Sequence, residues 1–406
     1  MRILIYGINY SPELTGIGKY SGEMAEWLAA RGHTVQVVTA PPYYPQWRVL
    51  DGYRSWCYRR EFLNGVDVRR CPLWVPSHRS GLKRILHLAS FALSSLPVML
   101  RQIFWRPDIV FVVEPTFFCT PIALLISKLS KAKFWLHVQD FEVDAAFDLG
   151  LLSSPLLRRM VLGVERWLMR RFDVVSTISE RMLERVKQKG VLSNRCEMFV
   201  NWVDTGQIYP LDKPSSFREG LGVKDEIVAL YSGNLGEKQG LEIIIDSARL
   251  LADENIKFVI CGDGAAKNKL VTLSAGMENI IWLPLQPVEK LNDFLNLADI
   301  HLLPQRGDAA DLVMPSKLTG MLASGRSVVA AAPKGSQIDE ILQGCGLVVE
   351  PGNSRQFTDA INKLADMVDL RLHLGQQARK YALESLGRET VLSNLEKSLL
   401  ALVGGQ

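Results

Sequence analysis

Twice in this chain an apolar run of strand length breaks at a glycine-bearing loop that leads into a helix. That repeated arrangement limits the fold more than any other feature. The first copy runs from Ile3 to Tyr6, through a loop from Gly7 to Gly18, into a helical stretch from Tyr20 to Arg31. Met24, Trp27 and Leu28 share a face there, Gly32 stops the helix, and Val35-Gln36-Val37-Val38 reads as the next strand. The second copy runs from Ile227 to Tyr231, through Gly233 to Gly240, into Leu241 to Asp253. A strand, a turn and a helix feeding a parallel strand form the unit of a doubly wound α/β sheet. Apolar runs at 108–113, 133–138 and 173–177 extend the first sheet. Those at 257–261, 280–283, 300–303, 327–332 and 346–349 extend the second. The chain has 406 residues, more than one hydrophobic core usually serves. The expectation is two Rossmann-like domains facing across a cleft at the carboxyl ends of both sheets, where open α/β sheets bind ligands. The boundaries are set at 1–203, 204–375 and a terminal amphipathic segment, 376–406.

Composition removes several classes. The six cysteines form no CxxC pair and have no histidine cluster beside them, which argues against a zinc site or a disulfide framework and fits a reducing cytoplasm. The apolar run after Arg2 is too short for a signal peptide. Nothing reaches the ~18 consecutive apolar residues of a membrane span; the nearest run, Ile85 to Leu100, is interrupted by His87, three serines and Pro97. Charge is uneven: residues 1–200 carry 27 Lys/Arg against 17 Asp/Glu, and residues 201–406 carry 20 against 26. The basic half suggests an anionic surface partner. No nucleic-acid motif accompanies it.

Three strand-end stretches hold candidate chemistry. Gly16-Ile17-Gly18-Lys19 precedes a helix whose first N–H groups could meet an anion. Its spacing fails the dinucleotide fingerprint, so a nicotinamide cofactor is disfavoured and an ordinary turn is the plain alternative. In the second loop, Gly233, Asn234, Gly236, Lys238 and Gln239 offer backbone N–H groups and a cation to a phosphate. In Met314-Pro315-Ser316-Lys317-Leu318, Ser316 can cap the following helix, while Lys317 sits where a cation opposes the helix dipole unless an anion joins it. His137, with Asp140 three residues on, can orient a hydroxyl or handle a proton; a buried structural histidine is the equal alternative. The turn Gly262-Asp263-Gly264 would let a nucleotide base approach.

In their order and spacing these segments resemble retaining glycosyltransferase family 4, which has the two-domain GT-B fold. The likeness spans Pro12 to Gly18, His137, Ser176-Thr177-Ile178-Ser179, Asn201-Trp202-Val203-Asp204, Gly233 to Gly240, Gly262 to Gly264 and Pro315 to Gly325. Within that family it resembles the bacterial colanic acid biosynthesis glycosyltransferases. The resemblance implies an N-terminal acceptor domain, a C-terminal nucleotide-sugar domain and a final helix that returns to the N-terminal domain. It also implies that helix dipoles and lysine replace a metal ion, so that no metal or other cofactor is needed. The donor would be GDP- or UDP-linked, with GDP-fucose the specific expectation. His137 and Asp140 would be the catalytic pair, and Asp311, with Gly262, Asp263 and Gly264, would hold the nucleotide. Two features depart from the family pattern. Asn234 and Gln239 replace a common Arg and Lys, and Leu312 and Gly320 replace a pair of glutamates, with Asp308 and Asp311 as nearby candidate substitutes.

The basic first half then reads as peripheral contact with the inner face of the cytoplasmic membrane, where a polyprenyl-pyrophosphate-linked glycan acceptor would sit. Lys83, Arg84, Arg101 and Arg106 bracket the apolar stretch, and Arg158, Arg159, Arg166, Arg170 and Arg171 cluster later. Two other functions fit less well: a nucleotide-sugar epimerase on the same fold, and a glycan- or membrane-binding protein with a decayed donor site.

Overall fold

The computed structural model describes residues 1–13, 16–77, 81–114, 117–141, 155–306 and 315–405, with the side chains of Pro155, Leu157 and Lys238 left out. The chain divides into two compact units, Met1–Val200 with Leu392–Gln406, and Asn201–Val391.

The first unit is built on strands β1 (Arg2–Tyr6), β2 (Thr34–Thr39), β3 (Arg59–Leu63), β4 (Val66–Arg70), β5 (Ile109–Glu114), β6 (Lys133–Val138), β7 (Val174–Thr177) and β8 (Cys196–Met198). They lie in the order β3-β4-β2-β1-β5-β6-β7-β8. Every neighbouring pair is parallel except β3 and β4. β5 is buried along its whole length, which is why it reads as a continuous apolar run rather than an alternating one. β3 and β4 form a hairpin that the sequence reading missed. Asn64 and Gly65 turn it with φ of 46° and 85°, the positive values a two-residue type I′ turn requires. The outer strand carries Arg59, Arg60 and Glu61, charges that suit an unpaired sheet edge.

Helices α1 (Gly16–Ala30), α2 (Gly81–Trp105), α3 (Thr120–Ser130), α4 (Pro155–Met169) and α5 (Glu180–Gln188) connect these strands. The stretch whose apolar run is broken by His87, three serines and Pro97 is one continuous helix, α2, with Pro97 inside it. Ser90, Ser94 and Ser95 donate back to the carbonyls of His87, Phe91 and Ala92, so the serines are satisfied within the helix. One face of α2 buries Leu88, Phe91 and Met99 in the core. The other exposes Leu82, Leu86, Leu93, Leu100 and Phe104. By length and composition alone α2 could cross a membrane.

The second unit holds β9 (Ile227–Ser232), β10 (Ile256–Cys261), β11 (Ile280–Leu283), β12 (Ile300–Pro304), β13 (Ser327–Ala331) and β14 (Gly346–Val349), all parallel, in the order β11-β10-β9-β12-β13-β14. This is the doubly wound order, with its switch point between β9 and β12. Helices α6 (Ser216–Gly220), α7 (Glu242–Leu250), α8 (Lys267–Leu273), α9 (Leu291–Leu295), α10 (Ser316–Ala323), α11 (Gln337–Leu342), α12 (Ser354–Asp366) and α13 (Val368–Tyr381) accompany it. Tyr231, Phe258, Ile260, Leu302 and Val329 are central to its core.

A last helix, α14 (Arg388–Gly404), ends in the first unit. There Glu396 accepts from Arg31 at 3.0 Å and pairs with His33 at 2.9 Å, tying the chain end to the end of α1. Residues 376–391, assigned to the terminal segment from sequence, belong to the second unit.

Candidate functional site

The loops after β9 and β12 flank the switch point of the second unit, so whatever they carry is presented at the sheet edge where ligands bind. The β9 loop is held tightly against the β10 turn. Gly233 N–H donates to the Cys261 carbonyl at 3.0 Å, Leu235 N–H to the Asp263 carbonyl at 2.8 Å, and Ala266 N–H to the Leu235 carbonyl at 2.8 Å. That packing accounts for two glycines. A side chain on Gly262 would overlap the Gly233 carbonyl oxygen. One on Gly264 would meet the Leu235 carbonyl and, at 2.7 Å, the Asn234 amide oxygen. Their φ values, 153° and 155°, are also glycine conformations. From sequence this turn is expected to let a base approach; on the side where a Cβ would stand, the neighbouring loop is packed against it. The Asp263 carboxylate is exposed and pairs with Lys267 at 3.7 Å.

Lys317 is the chemical centre of the edge. It leaves the first turn of α10 and reaches the end of β9, where its Nζ donates to Tyr231 Oη at 2.9 Å and lies 4.2 Å from the Tyr231 ring centroid. Tyr231 Oη in turn donates to the Asn234 carbonyl at 2.7 Å. A Cβ on Gly233 would lie 3.3 Å from Nζ, so the ammonium is set against the loop backbone. Burial draws the Lys317 pKa down to about 7, and no carboxylate among the described residues pairs with it. A half-buried amine whose partners among the described residues are a phenol and a ring face is held away from its charged form, and a bound anion would favour that form. Asn234 is exposed at the rim. Gln239 is half-buried, and its Oε1 has no partner among the described residues; a Cβ on Gly236 would stand 2.6 Å from that oxygen. Ser316 does not cap α10. Pro315 occupies the cap position, and Ser316, exposed, is the first helical residue. The Lys238 side chain, Asp308, Asp311 and Leu312 lie outside the described residues.

The first unit's glycine loop is built differently. Gly16, with φ of 63°, opens α1 beside Tyr44. Gly18 leaves room for a buried carboxylate: a Cβ there would collide with Glu13. Glu13 Oε1 accepts from the Tyr43 and Tyr44 N–H groups at 3.0 Å each, and Oε2 accepts from Asn9 Nδ2 at 2.9 Å. Burial raises its pKa, and those backbone donors pull it back down. A buried carboxylate of the protein itself therefore stands beside Gly18. Glu13 was not singled out in the sequence, although a lone Glu in a proline–glycine loop was the available signal.

His137 lies near the end of β6, almost fully buried, with Nδ1 3.0 Å from Ser176 Oγ and its ring 4.7 Å from that of Phe199. Burial lowers its pKa to about 3, so near pH 7 the imidazole is neutral, with one ring N–H and one acceptor nitrogen, and is not a general acid in its charged form. Asp140 stands half-buried just beyond the strand.

Comparison with known proteins agrees with this architecture. Residues 15–202 match the "Glycosyl transferase 4-like domain" model and residues 212–381 the "Glycosyl transferases group 1" model. The chain is 42% identical to the Escherichia coli (strain K12) glycosyl transferase WcaI, a protein named for colanic acid biosynthesis, over 97% of this chain and 98% of that one. The chain belongs to glycosyltransferase family 4. The transferase also shares its fold with sucrose-phosphate synthase from Thermosynechococcus elongatus, at a TM-score of 0.78 and 14% identity over the full length of both chains. It shares it likewise with Anabaena HepE, solved in complex with UDP and glucose, at a TM-score of 0.67 and 16% identity over 99% of this chain and 100% of that one. These neighbours fix the GT-B architecture of the transferase.

Proposed function

We propose that this transferase moves a sugar from a nucleotide diphosphate donor onto a lipid-linked glycan in the assembly of a colanic-acid-type exopolysaccharide. The observation that carries the donor half is the half-buried amine of Lys317, unmatched by any described carboxylate, at the switch point of the second unit. The donor pyrophosphate sits against Lys317, the Gly233 to Gly240 loop and the start of α10. There a charge-assisted contact replaces the missing counter-ion, with no metal required. The bond from the sugar carbon to the phosphate oxygen breaks, and the acceptor oxygen bonds to that carbon on the same face. The acceptor proton passes to the departing phosphate. His137, neutral near pH 7, is assigned the positioning of the donor sugar. HepE binds UDP and glucose, and WcaI is named for colanic acid biosynthesis. On that support the donor is UDP- or GDP-linked, with GDP-fucose the specific expectation.

We place the enzyme at the inner face of the cytoplasmic membrane. The exposed α2 residues Leu82, Leu86, Leu93, Leu100 and Phe104 form one stripe, and Lys83, Arg84, Arg101 and Arg106 flank it. Each such basic residue gains about 1 kcal/mol near an anionic leaflet.

The test is thermal stabilisation by GDP, UDP, dTDP and their sugars in EDTA, followed by product analysis. A ligand at 100 times its Kd should stabilise the native state by ~2.7 kcal/mol. A shift with one nucleotide, carried into transfer in EDTA, supports the reading. No shift with any nucleotide favours a binding protein with a decayed donor site. Conversion of the donor sugar with no acceptor present favours an epimerase.

A further inference from the structure

A groove of about 620 Å³ opens in the first unit between the segments that follow β2 and β4, at the carboxyl edge of that sheet. Trp47, Trp56, Trp74, Arg48, Ser55 and Ser90 are among its walls. Its size lies within the roughly 300–1,000 Å³ of small-molecule sites. Two of the indoles face solvent, Trp56 at 71% exposure and Trp74 at 45%. Apolar surface of that size is ordinarily buried, and no described residue of the first unit covers these two indoles.

The backbone beneath these indoles is fixed. Trp74 N–H donates to Ser90 Oγ at 3.1 Å, its carbonyl accepts from His87 Nδ1 at 2.7 Å, and Ser90 Oγ donates to the His87 carbonyl at 2.7 Å. Leu73 N–H donates to the Ser55 carbonyl at 2.8 Å, which joins the two segments that carry Trp56 and Trp74. Trp47 has φ of 55°, a left-handed conformation unfavourable for a bulky side chain. It packs against Tyr43 and His87, with ring centroids 5.7 and 5.1 Å apart. Exposed aromatic faces on a pinned backbone, interleaved with hydroxyls, match a ring that is apolar on its faces and polar around its rim. A pyranose has that character: its C–H face stacks on an indole, and its hydroxyls bond to serine and arginine. Arg48 is available: among the described residues its one ion pair is an exposed contact with Asp51 at 3.2 Å.

We infer that this groove is a binding site for a pyranose unit of the glycan acceptor, an assignment that rests on the transferase reading above. Ser90 lies on the same face of α2 as Leu86 and Leu93, at the i+4 and i+3 spacings. A sugar in the groove is therefore next to the helix face proposed to meet lipid.

The experiment uses the full chain and saturation-transfer NMR with methyl β-D-glucopyranoside, methyl β-D-galactopyranoside and cellobiose. Nucleotide-induced thermal shift is measured in parallel. At least one glycoside should receive saturation on its ring C–H protons. Trp56→Ala and Trp74→Ala should weaken it five- to tenfold, Trp56→Tyr should restore most of it, and the nucleotide shift should not move. Three outcomes overturn the site: no glycoside bound while a nucleotide still is, glycoside binding unchanged in both alanine variants, or variants that lose only binding to phosphatidylcholine–phosphatidylglycerol vesicles. Loss of both nucleotide and glycoside binding in the parent protein removes the transferase reading and this site with it.

Discussion

The two glycine loops share one sequence plan, strand then glycines then helix, and differ in the sign of the charge buried behind them. Behind Gly16 and Gly18 stands the Glu13 carboxylate, satisfied by two backbone N–H groups and an asparagine. Behind Gly233 stands the Lys317 ammonium, with a phenol and no described carboxylate. A glycine loop before a helix is thus only a frame. The first is already filled by an internal anion, and the second keeps a cation in need of one. On the proposed reading, this contrast is what favours the second unit for the donor phosphates, although the fold repeats.

The comparison can be broken in several places. Gly262→Ala should do the most damage, because its Cβ meets a backbone carbonyl that cannot move aside. We expect a loss of about 3–5 kcal/mol in denaturant unfolding, the range of severe core lesions, and loss of nucleotide binding with it. Lys317→Ala should weaken nucleotide binding by about 10–100-fold, as for a hydrogen bond to a charged group. It should leave the thermal stability of the free protein unchanged or higher, since a buried cation disappears. An unchanged nucleotide Kd would move the phosphate site elsewhere.

Third is pH. The folded pKa of Lys317 lies near 7, below the usual lysine value, so its charge is lost as pH rises through about 7. Nucleotide affinity should fall above that pH, by about tenfold per unit at most. The same group should make the free protein more stable as pH climbs from about 7 towards 10.5, where the unfolded chain still holds the proton. Lys317→Arg should flatten the binding profile, and a profile still sloping in that variant would name another group. The smallest effect on nucleotide binding is expected from Gly18→Ala. Its Cβ meets Glu13 at both the carboxylate and the Cβ, so the loop must shift, at a cost of about 1–3 kcal/mol. Nucleotide affinity should stay unchanged; a loss like that of Lys317→Ala would erase the distinction between the loops.

Much of the fold was legible because buried parallel strands are continuous apolar runs. β1, β2, β5, β6, β7 and the six strands of the second unit appear where those runs lie. The β3–β4 hairpin was not read, since its outer strand is charged, yet Asn64-Gly65 was its signal. Pro97, at an exposed position with the helix face beneath it packed in the core, breaks the apolar run but not the helix α2. At the candidate site the sequence placed Lys317 and the glycines near one another along strand ends. It could not show that Gly262 and Gly264 make room for backbone, or that Ser316 is a helical residue rather than a cap.

The sequence by itself determined the two doubly wound sheets and the edge on which each would bind, because apolar periodicity and glycine position are local properties of the chain. Only the tertiary structure decided which edge holds an unbalanced charge. Glu13 is neutralised by donors about 30 residues away, and Lys317 meets Tyr231 across 86 residues. Those partners are set by how the strands order in the sheet, and no local pattern records them.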